Sequence, residues 1–138
     1  STATLSGTRA GGAIAAAWAV MHHLGQDGYM AIARDLAAMT DAYVAGITAI
    51  DGLALLAQPH LTIINFAAAK PDDLDIFAVA EAMDGRGWLP GLTQNPKGMH
   101  AMLSMFHETG REDYLSDLAS CVEQVRGANA ASDLKAVY

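Results

Sequence analysis

The sequence predicts a small α+β domain, an antiparallel four-stranded sheet backed by helices, in the order ααββαββα. Two observations predict it. The 138 residues are 52% hydrophobic and 17% charged, which is the composition of one core-rich globular domain. The spacing of apolar residues changes from about 3.6 to about 2 after residue 52 and returns to about 3.6 in the last third of the chain.

Two helices open the predicted fold. Apolar residues at helical spacing from Ile14 to Met21 predict a first helix over residues 9–25. The segment Gly25-Gln-Asp-Gly28 is typical of a turn, because glycine accepts backbone angles that end a helix. A longer second helix follows, whose apolar stripe is Tyr29, Ile32, Leu36, Met39, Tyr43, Ile47 and Ile50.

Two strand pairs make the predicted sheet. Short β-branched or apolar runs at residues 53–56 and 61–67 predict a hairpin, and similar runs at 88–93 and 99–105 predict a second pair around the loop at 95–98. Within each pair, turn residues that include a proline separate the two strands.

Two further helices complete the order. The first, between the strand pairs, begins with Asp72 or Asp73 as its N-cap and ends at residue 84. The last spans residues 108–126 and ends at Gly127, with Tyr114, Leu118, Val122 and Val125 directed inward. Residues 128–138 form a tail that has little to bury.

The charge balance argues against nucleic-acid binding. Fifteen acidic and eight basic residues give a net charge of −7, and the basic residues lie singly along the chain instead of forming a basic face.

The longest apolar stretch, residues 13–21, is too short for a transmembrane segment, which needs about 20 residues. The single Cys121 excludes an internal disulfide, and we expect a reducing, cytoplasmic setting.

The histidines and the cysteine do not form a recognisable reactive site. His22 and His23 are adjacent and therefore about 100° apart on a helix, so no metal site is expected without convergent ligands elsewhere. His100 lies in an apolar strand and is expected to face solvent or pack against a helix. The side chain of Cys121 is expected to pack in the protein interior. The seven methionines are expected at core positions or on a partner surface.

The most informative segment is Ser6-Gly-Thr-Arg-Ala-Gly-Gly12, which precedes the first helix. Hydroxyls and backbone N–H groups at a helix N-terminus bind anions, with help from the helix dipole. The alternative is plain N-capping by Thr8 or Ser6.

Longer motifs carry a family resemblance. They are Thr4-Leu-Ser-Gly-Thr-Arg-Ala-Gly-Gly12, Leu24-Gly-Gln-Asp-Gly-Tyr29, the segment from Leu55 to Phe66, Arg86-Gly-Trp-Leu-Pro90 and Met99-His-Ala101. In this order they resemble the C-terminal part of the pyridoxal-phosphate-dependent group II decarboxylase family, nearest to its sphingosine-1-phosphate lyase branch. The resemblance covers about residues 4–127.

The resemblance implies the small C-terminal domain of a fold-type I enzyme. Residues 1–50 would then be the end of the large domain and the connecting long helix, residues 51–127 the small α+β domain, and residues 128–138 the tail. The family's Schiff-base lysine follows a histidine, and this His-Lys motif is absent from the sequence. The chain alone is therefore expected to be catalytically silent, with no catalytic residue of its own.

The resemblance also implies a cofactor contact. In the family, the hydroxyl residue before the arginine of the first motif reaches the phosphate of pyridoxal 5'-phosphate in the neighbouring subunit. The matching position is Thr8, with Gly7 permitting the close approach and Arg9 ordering the loop. The implied partners are the missing N-terminal large domain and a second subunit in a homodimer.

Two functions follow as alternatives. One is a C-terminal fragment of a carbon–carbon lyase or decarboxylase that acts on an amino acid or a phosphorylated amino alcohol. The other is a free-standing α+β binding or regulatory domain without catalytic activity. A reading frame that continues upstream into a lysine-bearing domain would separate them.

Overall fold

A computed structural model describes residues 10–135 and confirms the α+β class. Its helices and strands follow the predicted sequence of elements, with a short 3-10 helix added before the last helix. The elements are α1 (Gly11–Ala49), β1 (Leu53–Leu55), β2 (Ile63–Ala68), α2 (Ile76–Asp84), β3 (Gly91–Gln94), β4 (Lys97–Met102), the 3-10 helix (Met105–His107) and α3 (Arg111–Ala128).

The two predicted N-terminal helices meet at a single residue. Gly25, with φ 58° and ψ −173°, is the only non-helical residue inside α1. The predicted four-residue turn was therefore too long: residues 26–28 are helical. A glycine adopts positive φ without the steric cost of a side chain, so one residue suffices to break the helix.

The chain divides into two compact units, the first ending at Arg34 and the second beginning at Asp35. In the described part of the first unit, Ile14, Trp18 and Met21 form an exposed apolar stripe. In the second unit, the C-terminal half of α1 contributes Met39, Tyr43, Ile47 and other residues to the core.

The sheet has the order β1-β2-β4-β3 and every neighbouring pair is antiparallel. The two hairpins are thus joined by the pairing of β2 with β4, in which Phe66 lies opposite Met99. Alternate residues are buried: Ile64 and Phe66 are in the core, whereas Ile63 is exposed. The helices therefore cover one face, and we call the other face the open face of the sheet.

Helix α2 begins two or three residues later than predicted. Its N-cap is Asp75, whose Oδ1 accepts a hydrogen bond of 2.9 Å from the N–H of Phe77. The predicted caps, Asp72 and Asp73, precede the helix, where the N–H of Asp73 donates to Lys70 O at 3.1 Å in a turn. Phe77, Val79, Ala80 and Met83 of this helix are buried.

The second hairpin is tighter and shorter than predicted. Lys97 pairs with Gln94, so only Asn95 and Pro96 form the turn. The predicted loop residues Lys97 and Gly98 belong to β4. Strand β4 ends at Met102, before the predicted end at residue 105, because the chain then turns into the 3-10 helix.

Helix α3 continues through Gly127 and ends at Ala128, and its C-cap Asn129 adopts the left-handed conformation with φ 47°. The N–H of Ala130 donates to Val125 O at 3.1 Å, which closes the helix end. Asparagine tolerates this conformation, so Gly127 is not needed as the stop. The inward positions Leu118, Val122 and Val125 are buried, and Tyr114 is half-buried.

Asp75 joins three segments of the second unit. Besides capping α2, its carboxylate accepts a hydrogen bond from Lys97 Nζ at 2.7 Å and one from the N–H of Ser132 at 3.0 Å. The described part of the tail is therefore attached to the domain. Partial burial opposes ionisation of Asp75, but the hydrogen bonds from Lys97, Ser132 and Phe77 outweigh it and hold its pKa below the ordinary value.

We expect Asp75→Ala to destabilise the protein by about 1 to 2 kcal/mol, because it removes an N-cap together with the contacts to Lys97 and Ser132. Urea unfolding monitored by circular dichroism measures the change. Asp72→Ala is the control, since Asp72 is exposed and outside α2, and should shift the free energy of unfolding by less than about 0.5 kcal/mol. Equal effects of the two substitutions would contradict the assignment of the cap.

The same carboxylate predicts a pH dependence. Because the pKa of Asp75 is lower in the folded state, its stabilisation is fully present above the unfolded pKa of about 3.9. It is lost as the pH falls through the folded pKa. The difference in unfolding free energy between the wild type and Asp75→Ala should therefore be constant from pH 5 to 7 and shrink below about pH 4. A difference that grows on acidification would contradict this.

Candidate functional site

The predicted phosphate-binding residues Gly7, Thr8 and Arg9 lie outside the residues that the structure describes. Helix α1 begins at Gly11, directly after this segment. The contact of Thr8 with a cofactor phosphate therefore stays a prediction.

The lysines of the described residues do not fit a covalent cofactor site. Lys97 is bound to Asp75 and lies 4.6 Å above the ring of Phe77. Lys70 is exposed and 3.9 Å from Asp73. Lys135 is exposed as well. Among residues 10–135, therefore, each lysine is either exposed or paired with a carboxylate.

The two adjacent histidines of α1 lie on the surface, whereas the cysteine is buried. His22 and His23 are exposed, and the ring of His22 lies 4.1 Å from that of Trp18. The described part of the chain holds no group of three or more histidine, cysteine, aspartate or glutamate side chains that could bind a metal ion. Cys121 is fully buried, and desolvation raises the pKa of its thiol, which confirms the packing role.

A serine and a histidine approach each other after β4. Ser104 Oγ lies 3.0 Å from His107 Nδ1, and the same nitrogen is 2.9 Å from the N–H of Ser104. These contacts are a reciprocal cap of the 3-10 helix. Both side chains are exposed, and within residues 10–135 no contact orients the other nitrogen of the ring, so these residues supply no third group of the kind that a catalytic triad requires.

The motif Arg86-Gly-Trp88 has a structural role. The indole N–H of Trp88 donates to Asp117 Oδ2 at 2.8 Å, while Arg86 Nη1 donates to Asp117 Oδ1 at 2.9 Å. Gly87 has φ 92°, which lets the chain turn between these two side chains. The motif thus fixes the loop after α2 to helix α3.

Three aromatic rings line a cleft of about 410 Å³ at the edge of the sheet. Trp88 meets Tyr114 edge-on at 5.2 Å, and Tyr43 lies 5.7 Å from Tyr114. Burial raises the pKa of both tyrosines, so their hydroxyls stay protonated at neutral pH. The Tyr43 hydroxyl donates to His107 O at 2.8 Å. The described lining of the cleft thus combines these three aromatic rings with the imidazoles of His100 and His107, and it includes no carboxylate.

A second, wider depression of about 850 Å³ lies along β3 and includes Thr93, His100, Met102 and Lys135. His100 lies on the open face beside Gly91, which is opposite it in the sheet. In agreement with the first of the two expectations, His100 lies on the face that the helices leave uncovered, but it is half-buried there. Its Nδ1 and Thr93 Oγ1 are enclosed without a hydrogen-bond partner among the described residues. The strand alternation of residues 98–102 was the sequence signal that could have placed His100 on this face.

The methionines divide between core and surface. Met39, Met83 and Met99 are buried, as expected for core positions. The other four are exposed, so they do not occupy core positions of the described residues; they are Met21, Met30, Met102 and Met105.

The sequence of this chain is similar to parts of known lyases and decarboxylases. No family profile matches the chain. Sphingosine-1-phosphate lyase of Oryza sativa is 34% identical over 123 residues, which are 89% of this chain and 22% of that protein. A probable L-tyrosine/L-aspartate decarboxylase of Methanothrix thermoacetophila is 36% identical over 90% of this chain and 31% of its own length. The chain therefore spans between about a fifth and a third of these relatives.

Solved structures show the same relationship. A sphingosine-1-phosphate lyase of Burkholderia pseudomallei superposes with a TM-score of 0.81 at 32% identity, over 93% of this chain and 29% of that protein. A C-DES mutant with glycine covalently linked to its PLP cofactor shares the fold, with a TM-score of 0.53 at 18% identity. Sequence motifs, fold and relatives agree, and the chain is homologous to the C-terminal part of the sphingosine-1-phosphate lyases and group II pyridoxal-phosphate decarboxylases.

Proposed function

We propose that this chain works as the C-terminal part of a longer pyridoxal-phosphate-dependent enzyme, a carbon–carbon lyase or decarboxylase. The observation that carries the proposal is the superposition of nearly the whole chain on a sphingosine-1-phosphate lyase, with a TM-score of 0.81 at 32% identity. The substrate is an amino acid or a phosphorylated amino alcohol, the class that the names of the relatives suggest. Pyridoxal phosphate, when bound, supplies an electron sink for charge that develops beside an amino group.

In this proposal, the reacting lysine belongs to the polypeptide outside the chain. Lys97 is occupied by Asp75, and Lys70 and Lys135 are exposed. Residues 51–127 act as the small domain and residues 1–50 as the end of the large domain and its connecting helix. The chain then contributes binding and positioning but no catalytic residue.

The N-terminal part of the chain contributes to cofactor binding and to assembly. Thr8 donates to the cofactor phosphate across the interface of a homodimer, with Gly7 and Arg9 shaping its loop. The helix that follows exposes Ile14 and Trp18, which are 64% and 60% accessible. An exposed apolar stripe is typical of a docking surface, so this helix packs on the large domain and at the dimer interface.

The gene sequence upstream of this chain distinguishes the proposed enzyme from the alternative, a free-standing binding or regulatory domain. If the reading frame continues upstream into a glycine-rich, lysine-bearing domain, the free-standing function fails. A start codon directly before Ser1 would instead overturn the proposed enzyme.

Among residues 10–135, no helix has both the length and the apolar character needed to cross a membrane.

The isolated chain should not attach pyridoxal phosphate covalently, because its described lysines are paired with carboxylates or exposed. Incubation with the cofactor, borohydride reduction and peptide mass mapping measures this. The expected result is only sparse, unselective labelling, equal to that of the chain unfolded in urea. A stoichiometric adduct on one lysine would contradict the proposed silence of the chain.

In the full-length enzyme, Thr8→Val should weaken cofactor binding. The substitution keeps the shape of the side chain but removes a hydrogen bond to a charged phosphate, at a cost on the order of 1.5 to 3 kcal/mol. That corresponds to a roughly tenfold to hundredfold higher Kd, measured by titrating the cofactor-free enzyme with pyridoxal phosphate.

The control for this titration is Thr4→Val, which makes the same chemical change in the same segment at a position without a proposed contact. It should leave the Kd unchanged. If Thr8→Val also binds the cofactor like the wild type, Thr8 has only a helix-capping role.

A further inference from the structure

Three aspartates of the chain are followed directly by glycine; they are Asp27, Asp51 and Asp84. An Asp-Gly pair can rearrange without an enzyme when the glycine nitrogen attacks the carboxyl carbon of the aspartate side chain. Glycine favours this attack because no side chain obstructs its nitrogen and its backbone rotates freely. The fold selects which pair reacts, since the nitrogen has to be free and the aspartate backbone has to rotate.

Helices hold two of the three pairs. Asp27 and Gly28 are both helical within α1. Asp84 is the last residue of α2, and the N–H of Gly85 donates to Glu81 O at 3.0 Å. Reaction at either pair requires local opening of a helix, which costs free energy. The helical conformation therefore protects these two pairs.

The third pair lies in the turn between α1 and β1. The N–H of Leu53 donates to Ile50 O at 3.2 Å, and Gly52, with φ 94°, occupies the third position of this turn, as in a type II turn. Within residues 10–135, the N–H of Gly52 donates to no backbone acceptor. The side chain of Asp51 is 96% exposed. The nitrogen and the carboxyl group of this pair are thus not held by the backbone hydrogen bonds of a helix.

Arg126 lies against both residues of this pair. Its Nη1 donates to Asp51 Oδ2 and its Nη2 to the main-chain O of Asp51, each at 3.0 Å. A Cβ atom at Gly52 would overlap Nη2 of Arg126. Attack by the glycine nitrogen has to release the carboxylate from the guanidinium, so this contact slows the reaction.

We propose that Asp51-Gly52 is the site at which this chain rearranges to isoaspartate, and that Arg126 controls the rate. Gly52 N loses its proton and bonds to Asp51 Cγ, and a carboxyl oxygen leaves as water, which closes a five-membered succinimide. Water then adds to the main-chain carbonyl carbon of Asp51 and breaks its bond to Gly52 N. One water is released and one is consumed, so neither the mass nor the redox state changes.

The product changes the connection between α1 and β1. The main chain of residue 51 then runs through Cβ and Cγ and is one methylene longer, and the former main-chain carbonyl is a free carboxylate. Gly52 O accepts a hydrogen bond of 2.8 Å from the N–H of Ala69, beside the β1–β2 pairing, so the inserted atom lies at the end of the sheet. The partner that fits this exposed product is an enzyme that methylates isoaspartyl carboxylates.

The test ages the full-length protein that contains this chain at neutral pH. Electron-transfer fragmentation of its peptides assigns each isoaspartate, and an isoaspartyl methyltransferase with a labelled methyl donor measures the amount. We expect at least about tenfold more isoaspartate at residue 51 than at residue 27 or 84, because those two require helix opening. Asp51→Glu keeps the charge but would need a six-membered ring, so the label in this peptide should disappear.

A second pair of variants tests Arg126. Arg126→Gln should raise conversion at residue 51 roughly twofold to fivefold, the range that loss of an exposed ion pair allows. Residues 27 and 84 should not change. Arg86→Gln is the matched control, because it removes another partly exposed arginine–aspartate pair, with Asp117, and should convert like the wild type.

Several outcomes would overturn the proposal. Absence of isoaspartate at residue 51 of the aged wild type, or equal amounts at residue 27 or 84, would reject the site. Label that persists in the peptide of Asp51→Glu would assign the methylation to another residue. Unchanged conversion in Arg126→Gln, or an equal rise at all three aspartates, would reject control by Arg126, because the second result reports general unfolding.

Discussion

A four-stranded antiparallel sheet with helices on one side buries only alternate residues of each strand. Here the buried set includes Ile64, Phe66 and Met99, which pack with α2, and the opposite set includes the exposed Ile63 and Met102. The core of the second unit, the position of the helices and the chemistry of the open face all follow from this one-sided burial. It leaves the apolar side chains of Ile63 and Met102 without cover from the helices of the domain.

The carboxylate of Asp75 adds a second constraint, because it holds together elements that are distant in sequence. It caps α2, binds Lys97 of β4 and accepts the N–H of Ser132 in the tail. Each of these contacts favours the ionised carboxylate, so they support one another. The same arrangement pairs Lys97 with Asp75 at 2.7 Å.

Residues of the family motifs have structural roles wherever the structure describes them. Gly25 breaks the long helix, and Trp88 joins the loop after α2 to Asp117 of α3. His100 lies on the open face. The motifs thus encode a domain, whereas the residues proposed to contact a cofactor, Gly7, Thr8 and Arg9, depend on the family resemblance alone. This division agrees with a chain that contributes position and contacts to an enzyme whose reacting groups lie elsewhere.

The sequence by itself determined the features that depend on near neighbours. The helical stripes, the alternating strands and the break near Gly25 follow from local periodicity and backbone preference. Only the tertiary structure decided which carboxylate caps α2, because Asp75 is selected by Lys97 and Ser132, which are 22 and 57 residues away. It likewise decided the pairing of β2 with β4 and the face occupied by His100. Such choices depend on contacts between distant segments, which no local pattern contains.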